Sequence, residues 1–151
     1  MQELIMHPIG HVRNQVQEKK DTQWGKDISV IELEEEYRFG LTGLEGFSHA
    51  LVLTCLDKAK YRPEKHLMRR PQGREDMPVV GIFSQRTKDR PNRIGVTAVQ
   101  ILAVEETRLQ VIGLDAIDGT PVLDIKPYFP VFDKRDARTP EWVDILMKEY
   151  F

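Results

Sequence analysis

Strand-like segments follow one another along this chain with no helix of crossover length between them, and that order constrains the fold more than any other feature. "LIMHPIGHVRN" (4–14) and "ISVIELEEE" (28–36) mix β-branched and polar residues. "SHALVLTCLD" (48–57) is an apolar run of strand length, and "VVGIFS" (79–84), "IGVTAVQILAVE" (94–105) and "RLQVIGLDAID" (108–118) continue the pattern. The last two are joined by a short turn at Glu105, Glu106 and Thr107, which predicts an antiparallel hairpin. A parallel doubly wound sheet needs helical crossovers, so the order argues against it and for a mainly β chain, a small antiparallel β-barrel of six to seven strands or a sandwich, with a C-terminal helix and long basic loops. Its 151 residues suit one domain.

Two stretches read as helical. A turn or two is expected near "YRFGLTGLEGF". A longer helix is predicted over 140–150, with Thr139 as cap, Pro140 at the first helical position, and Trp142, Ile145, Leu146 and Glu149 in one stripe laid on the sheet. Segment 60–78, interrupted by Pro63, Pro71, Gly73 and Pro78, is expected as a long surface loop.

Several function classes fall away on residue counts. Cys55 is the lone cysteine, in an apolar setting that predicts an inert buried thiol. Among His7, His11, His49 and His66 only His7 and His11 are four apart, and the Pro8 and Gly10 between them argue against a helical metal face, so no metal site is expected. No apolar run reaches membrane-spanning length, and the N-terminus lacks a secretory pattern, so a cytoplasmic protein without membrane attachment is expected. The chain has no GxGxxG, GxxxxGK[ST] or DxDxDG, so a nucleotide-like cofactor would have to be held by loops at a barrel rim.

Charge is distributed unevenly. Residues 60–93 hold ten Lys and Arg against four Asp and Glu, while Glu32, Glu34, Glu35 and Glu36 gather acid elsewhere, predicting a basic and an acidic side. In "SQRTKDRPNRIG", Pro91 and Asn92 set a turn that displays Arg86, Arg90 and Arg93, guanidinium forks suited to carboxylates, phosphates and purine faces. Gly95 would let the next strand make a close backbone approach. Arg69, Arg70, Lys88, Arg90 and Arg93 are the candidate RNA contacts. In "LDAIDGTPVLDIKPYFPVFD", Asp118-Gly119 marks a turn, and Asp124 and Lys126 alternate on one face of an extended segment, either as an ion pair or as half of a site. The glycines of "GLTGLEGFSH" make a tight turn that is either a ligand contact or a plain corner.

At these three places the chain resembles a known family. "GLEGFSHALVL", "GIFSQRTKDRPNRIGVTAVQIL" and "LDAIDGTPVLDIKPYFP" are similar, in order, to the signature blocks of the TsaA-like (YaeB-like) family, and the likeness runs over 7–128. That resemblance implies a β-barrel S-adenosylmethionine-dependent methyltransferase that methylates N6 of threonylcarbamoyl-adenosine beside the anticodon of tRNA and works as a homodimer. It implies cofactor contacts at Asp57, Lys58, Arg86, Val96, Leu114 and Asp115, with Asp115 or Asp57 facing the sulfonium. An N6 proton must be lost, for which Asp118 and Asp124 are the candidate catalytic bases. Two departures stand out: residues 18–30 replace the family's "PRQPG" stretch, with Trp24 and Gly25 as possible substitutes, and Arg93 stands where proline is common. Left open are a methyltransferase of another RNA or of a small molecule, and a non-catalytic barrel that binds S-adenosylmethionine or RNA.

Overall fold

The computed structural model describes residues 1–151. Six strands close a barrel in the order β1 (Gly10–Arg13), β2 (Ile28–Leu33), β7 (Arg108–Ile112), β6 (Ile94–Val104), β3 (His49–Cys55) and β8 (Pro121–Pro127), with β8 returning to β1. Every pairing is antiparallel. A separate two-stranded sheet pairs β4 (Met68–Arg69) with β5 (Val80–Gly81). The helices are short: α1 (Pro63–His66), α2 (Pro130–Asp133) and α3 (Glu141–Met147). None is long and apolar enough to cross a membrane.

Alternation along the strands fills the lumen with side chains. Ala50, Val52 and Thr54 of β3 point inward to meet Val99 of β6, Leu109 and Val111 of β7, Ile31 of β2, Val12 of β1 and Val122 of β8, all buried. Full burial of such an aliphatic side chain contributes about 1.5–3 kcal/mol, so this filled interior is the main source of stability. The β6–β7 hairpin turns at 105–107, where the sequence predicts it.

Several elements are shorter than their sequence patterns. The first strand begins only at Gly10, because Pro8 has no N–H to give a ladder and Leu4, Ile5 and Met6 lie exposed. After Val80–Gly81 the chain leaves extended geometry in a 3-10 turn at Ile82–Ser84 that buries Ile82 and exposes Phe83. Segment 60–78 is not a plain surface loop: it carries α1 and β4 and buries His66, Pro71 and Met77.

The C-terminal helix differs most from expectation. It spans Glu141–Met147 rather than 140–150 and buries no residue. Thr139 gives no side-chain cap, and Pro140 stands at the cap position in extended geometry. Past the helix the chain is drawn off by other partners. The backbone N–H groups of Gln23 and Trp24 donate to the carbonyls of Glu149 and Tyr150 at 2.8 and 2.7 Å. The turn that continues α3, with the Tyr150 N–H on the Met147 carbonyl at 3.1 Å, thus makes the backbone contacts, while of the expected stripe only Trp142 and Leu146 are half-buried and Ile145 and Glu149 are exposed.

Candidate active site

Strand β7 is shorter than its neighbour, and this difference creates the site. Its pairing with β6 begins at Gln100, so β6 from Ile94 to Val99 has β3 on one side and no strand on the other. An unpaired strand edge offers backbone N–H and C=O groups to whatever lies beside it. Arg86 takes one of them: its Nη2 donates to the Val96 carbonyl at 2.8 Å.

The link from β7 to β8, residues 113–120, runs beside that open edge. Leu114 and Ala116 are buried in the core, which turns Asp115 between them toward β6. Thr97, next to Val96, donates its hydroxyl to Asp115 Oδ1, and the Tyr150 hydroxyl donates to Asp115 Oδ2. None of the ion pairs in the chain involves Asp115. Its half-buried carboxylate is therefore oriented by two neutral hydroxyls and not neutralised by a bonded cation. The Tyr150 phenol is pushed well above its usual range, first by burial and then by the Asp115 charge, with Arg86 acting in the opposite sense. It remains a proton donor and cannot serve as a general base.

Two residues that the sequence reading missed hold this arrangement. Asn14 donates from Nδ2 to Ser29 Oγ at 2.9 Å and to the Ala116 carbonyl at 2.8 Å, and its own N–H reaches Asp118 Oδ1 at 3.0 Å. Gln85, buried beside Arg86, donates to the carbonyls of Arg69 and Val80 at 3.3 and 3.1 Å and fastens the arginine loop to the small sheet. Each joins segments distant in sequence, so no local pattern announces it.

The expected cofactor residues fall into two groups. Arg86, Val96, Leu114 and Asp115 converge on the open edge of β6, Leu114 through its backbone since its side chain is in the core. Asp57 and Lys58 are exposed beside the arginine turn, where Arg93 Nη1 donates to the carbonyls of Asp57 and Ala59, each at 3.1 Å. Segment 18–30 connects the groups. Lys19 Nζ donates to the Lys58 carbonyl at 2.8 Å, Asp21 acts on the Tyr150 phenol, and Gln23 and Trp24 bind the tail.

The arginine turn itself is built on left-handed backbone, φ +62° at Asn92 and +51° at Arg93. Gly95 follows because a Cβ there would stand 2.5 Å from Thr54 Oγ1. Arg90 donates to the Gln85 carbonyl at 2.8 Å, Arg70 to the Met77 carbonyl, and Lys88 faces Asp89 at 3.5 Å. Arg69 reaches the Arg70 carbonyl only at 3.4 Å. Beside the turn lies an open cleft of about 450 Å³ whose rim carries Lys60, Arg62, Arg90 and Arg93. The acidic side is partly paired, Glu32 with Arg13 and Glu35 with Arg38.

The two carboxylates read as candidate bases stand apart. Asp118 accepts the Asn14 N–H and anchors the turn. Asp124 and Lys126 form an ion pair at 2.8 Å with both side chains about half exposed, so it is not a buried one. Asp124 lies opposite Leu53, which lies opposite Val96, so Asp124 and Val96 share the outer face with one strand between them, about 10 Å apart at ladder spacing.

Residues 14–134 match the family model described as tRNA-methyltransferase O N-terminal domain. The chain belongs to this family. An S-adenosyl-L-methionine-binding protein of Archaeoglobus fulgidus is 38% identical over 134 residues, covering 86% of this chain and 93% of the relative. A mouse tRNA (adenine(37)-N6)-methyltransferase is 42% identical over 93 residues, 62% of this chain and 21% of that one. Among solved structures, TrmO from Pseudomonas aeruginosa superposes with a TM-score of 0.76 at 31% identity over 94% of this chain. The chain spans 62% of that crystallised chain. The closed barrel is thus the family's fold, one of the two architectures that the strand order allows and the one that the resemblance implies.

Proposed function

We propose that this chain is an S-adenosylmethionine-dependent methyltransferase acting on N6 of an adenine in tRNA, with threonylcarbamoyl-adenosine beside the anticodon as the nucleoside. The observation that carries the reading is the convergence of Arg86, Val96 and Asp115 on the open edge of β6, in a family whose mouse member is a tRNA (adenine(37)-N6)-methyltransferase. The residues present fit a cationic cofactor. Asp115 keeps its charge free of any ion pair, and the Trp24 indole N–H, in the segment that carries the tail, is buried without a partner. Arg86, Asp115 and the Val96 and Leu114 backbone would hold that cofactor, with Asp57 and Lys58 at its far end. When bound, it supplies a methyl group activated on a sulfonium.

The chain's own part is to orient and to exclude water. Arg86 is fixed by the Val96 carbonyl, and Thr97 fixes the carboxylate, so neither has to reorganise when a ligand arrives. Both candidate bases are engaged, Asp118 by the Asn14 amide and Asp124 by Lys126 and the Ile125 N–H; Asp124 is the one that shares the outer face with Val96. The cleft rimmed by Lys60, Arg62, Arg90 and Arg93, with Arg69, Arg70 and Lys88 nearby in sequence, offers phosphate contacts to RNA. The outer face of β3 and β6, where Ile94 and Val96 are 41% and 43% exposed, is apolar and suits a second copy of the chain.

A second reading, a binder without turnover, draws on the A. fulgidus relative, described as a binding protein. One experiment separates them. Titration calorimetry with S-adenosylmethionine and S-adenosylhomocysteine, followed by transfer of labelled methyl to tRNA with and without the threonylcarbamoyl group, should show micromolar binding and label only on the modified tRNA. Binding without label transfer to any tRNA leaves the binder; no binding by folded protein rejects both.

A further inference from the structure

Residues 149–151 are held against the 23–25 segment by specific contacts. Successive carbonyls, of Glu149 and Tyr150, accept from successive N–H groups, of Gln23 and Trp24, so the tail is held in register. The partner segment is shaped for it: a Cβ on Gly25 would lie 2.6 Å from the Phe151 carbonyl carbon, a distance no side chain tolerates. Phe151 packs edge-on against Tyr150, with ring centroids 4.9 Å apart at 78°. Helix α3, which has no fully buried residue and half-buries Trp142, Val143 and Leu146, brings the chain to this point.

The register delivers one group to the site, the Tyr150 hydroxyl on Asp115 Oδ2. With Thr97 on Oδ1, each carboxylate oxygen has one neutral donor and keeps lone pairs to spare. Two such donors fix the plane of the carboxylate without cancelling its charge. A cation there would cancel it, and with no second donor the group would turn about its last bond.

We propose that Tyr150 is a positioning residue of the cofactor site, acting through Asp115, and that Glu149–Phe151 forms the wall of the site facing the open edge of β6. This rests on the reading of that site as one for S-adenosylmethionine. Calorimetry of the full chain, as wild type, Tyr150→Phe, Asp115→Asn and the double variant, tests it. Phenylalanine retains the ring and the tail's backbone register while removing the one hydroxyl. The single Tyr150→Phe change should weaken S-adenosylmethionine binding by about tenfold, the scale of one hydrogen bond to a charged group. In the Asp115→Asn background the same change should have less than a twofold effect, because the group through which the hydroxyl acts is no longer charged.

A purely structural latch would lower affinity by the same factor in both backgrounds, and that result overturns the proposal; so does wild-type affinity in Tyr150→Phe. If Tyr150→Phe does not fold, Gly25→Ala displaces the tail through Phe151 and leaves Tyr150 itself unchanged. It should show the same loss and the same dependence on Asp115, and equal loss in both backgrounds again refutes the role. Failure of the wild type to bind S-adenosylmethionine rejects the function and this role together, whereas wild-type binding with unaffected variants rejects this role alone.

Discussion

Replacing Gly95 with alanine should loosen the barrel beside the site by a predictable amount. The new Cβ would meet Thr54 Oγ1 at 2.5 Å, where ordinary contact begins near 3.4 Å, with Leu56 Cδ2 at 3.4 Å closing the other direction. Gly95 and Thr54 are direct partners across β6 and β3, and Thr54 is buried, so neither strand can move aside cheaply. Overpacking of this kind costs about 2 kcal/mol. For a domain of this size that lowers Tm by about 6 °C. Removing the obstacle should restore most of the loss: Thr54→Ala alone costs about 1 kcal/mol as a small cavity. The double variant should then be little less stable than Thr54→Ala itself, a coupling of about 1.5 kcal/mol between neighbours. Urea unfolding of the four proteins measures the cycle. Equal midpoints for wild type and Gly95→Ala, or strictly additive losses, would refute the close-approach argument for this glycine.

Two further outcomes follow from the same structure. Arg93→Pro should destabilise the chain by about 3 kcal/mol in urea unfolding, because proline holds φ near −65° and residue 93 sits at +51° while donating to two carbonyls; an unchanged midpoint would mean the turn has another form. The raised Tyr150 phenol gives a pH signature. Its folded-state pKa lies above the ordinary value of 10.0, so its contribution is complete below pH 10 and is lost as pH rises beyond that, where the unfolded chain sheds a proton the folded one retains. Thermal midpoints of wild type and Tyr150→Phe should therefore converge above pH 10, and a constant gap from pH 8 to 11 would count against the buried donor.

What could be read from the sequence divides along physical lines. Antiparallel barrel strands declare themselves through alternation, and β3, β6 and β7 lie where Ala50, Val52, Val99, Leu109 and Val111 alternate with outward residues. The turn chemistry of Pro91-Asn92 and the glycine at 95 were equally legible, since both follow from backbone sterics. The helical spacing of 140–150 located α3 but not its end, because that spacing is local while the Gln23 and Trp24 amides that draw off the last residues are more than a hundred positions away. Asn14 and Tyr150 escaped for the same reason, since each acts on a partner that only the closed barrel brings near, and Gln85 because its partners, Arg69 and Val80, meet only in the small sheet. Residues 18–30, which depart from the family's pattern, have no strand signal ahead of β2, yet they tie Lys58 to the tail.

The filled lumen has a consequence for how such a chain can change. Many barrels keep their ligands inside, so that every alteration of specificity is also an alteration of the core. Here the interior is solid with Val12, Ile31, Val52, Val99 and Leu109, and the proposed site lies along the seam where one strand outruns its neighbour. Loops and termini laid along that seam can be exchanged while the staves stay as they are. Descent with new substrates then needs little more than new upholstery on an old frame.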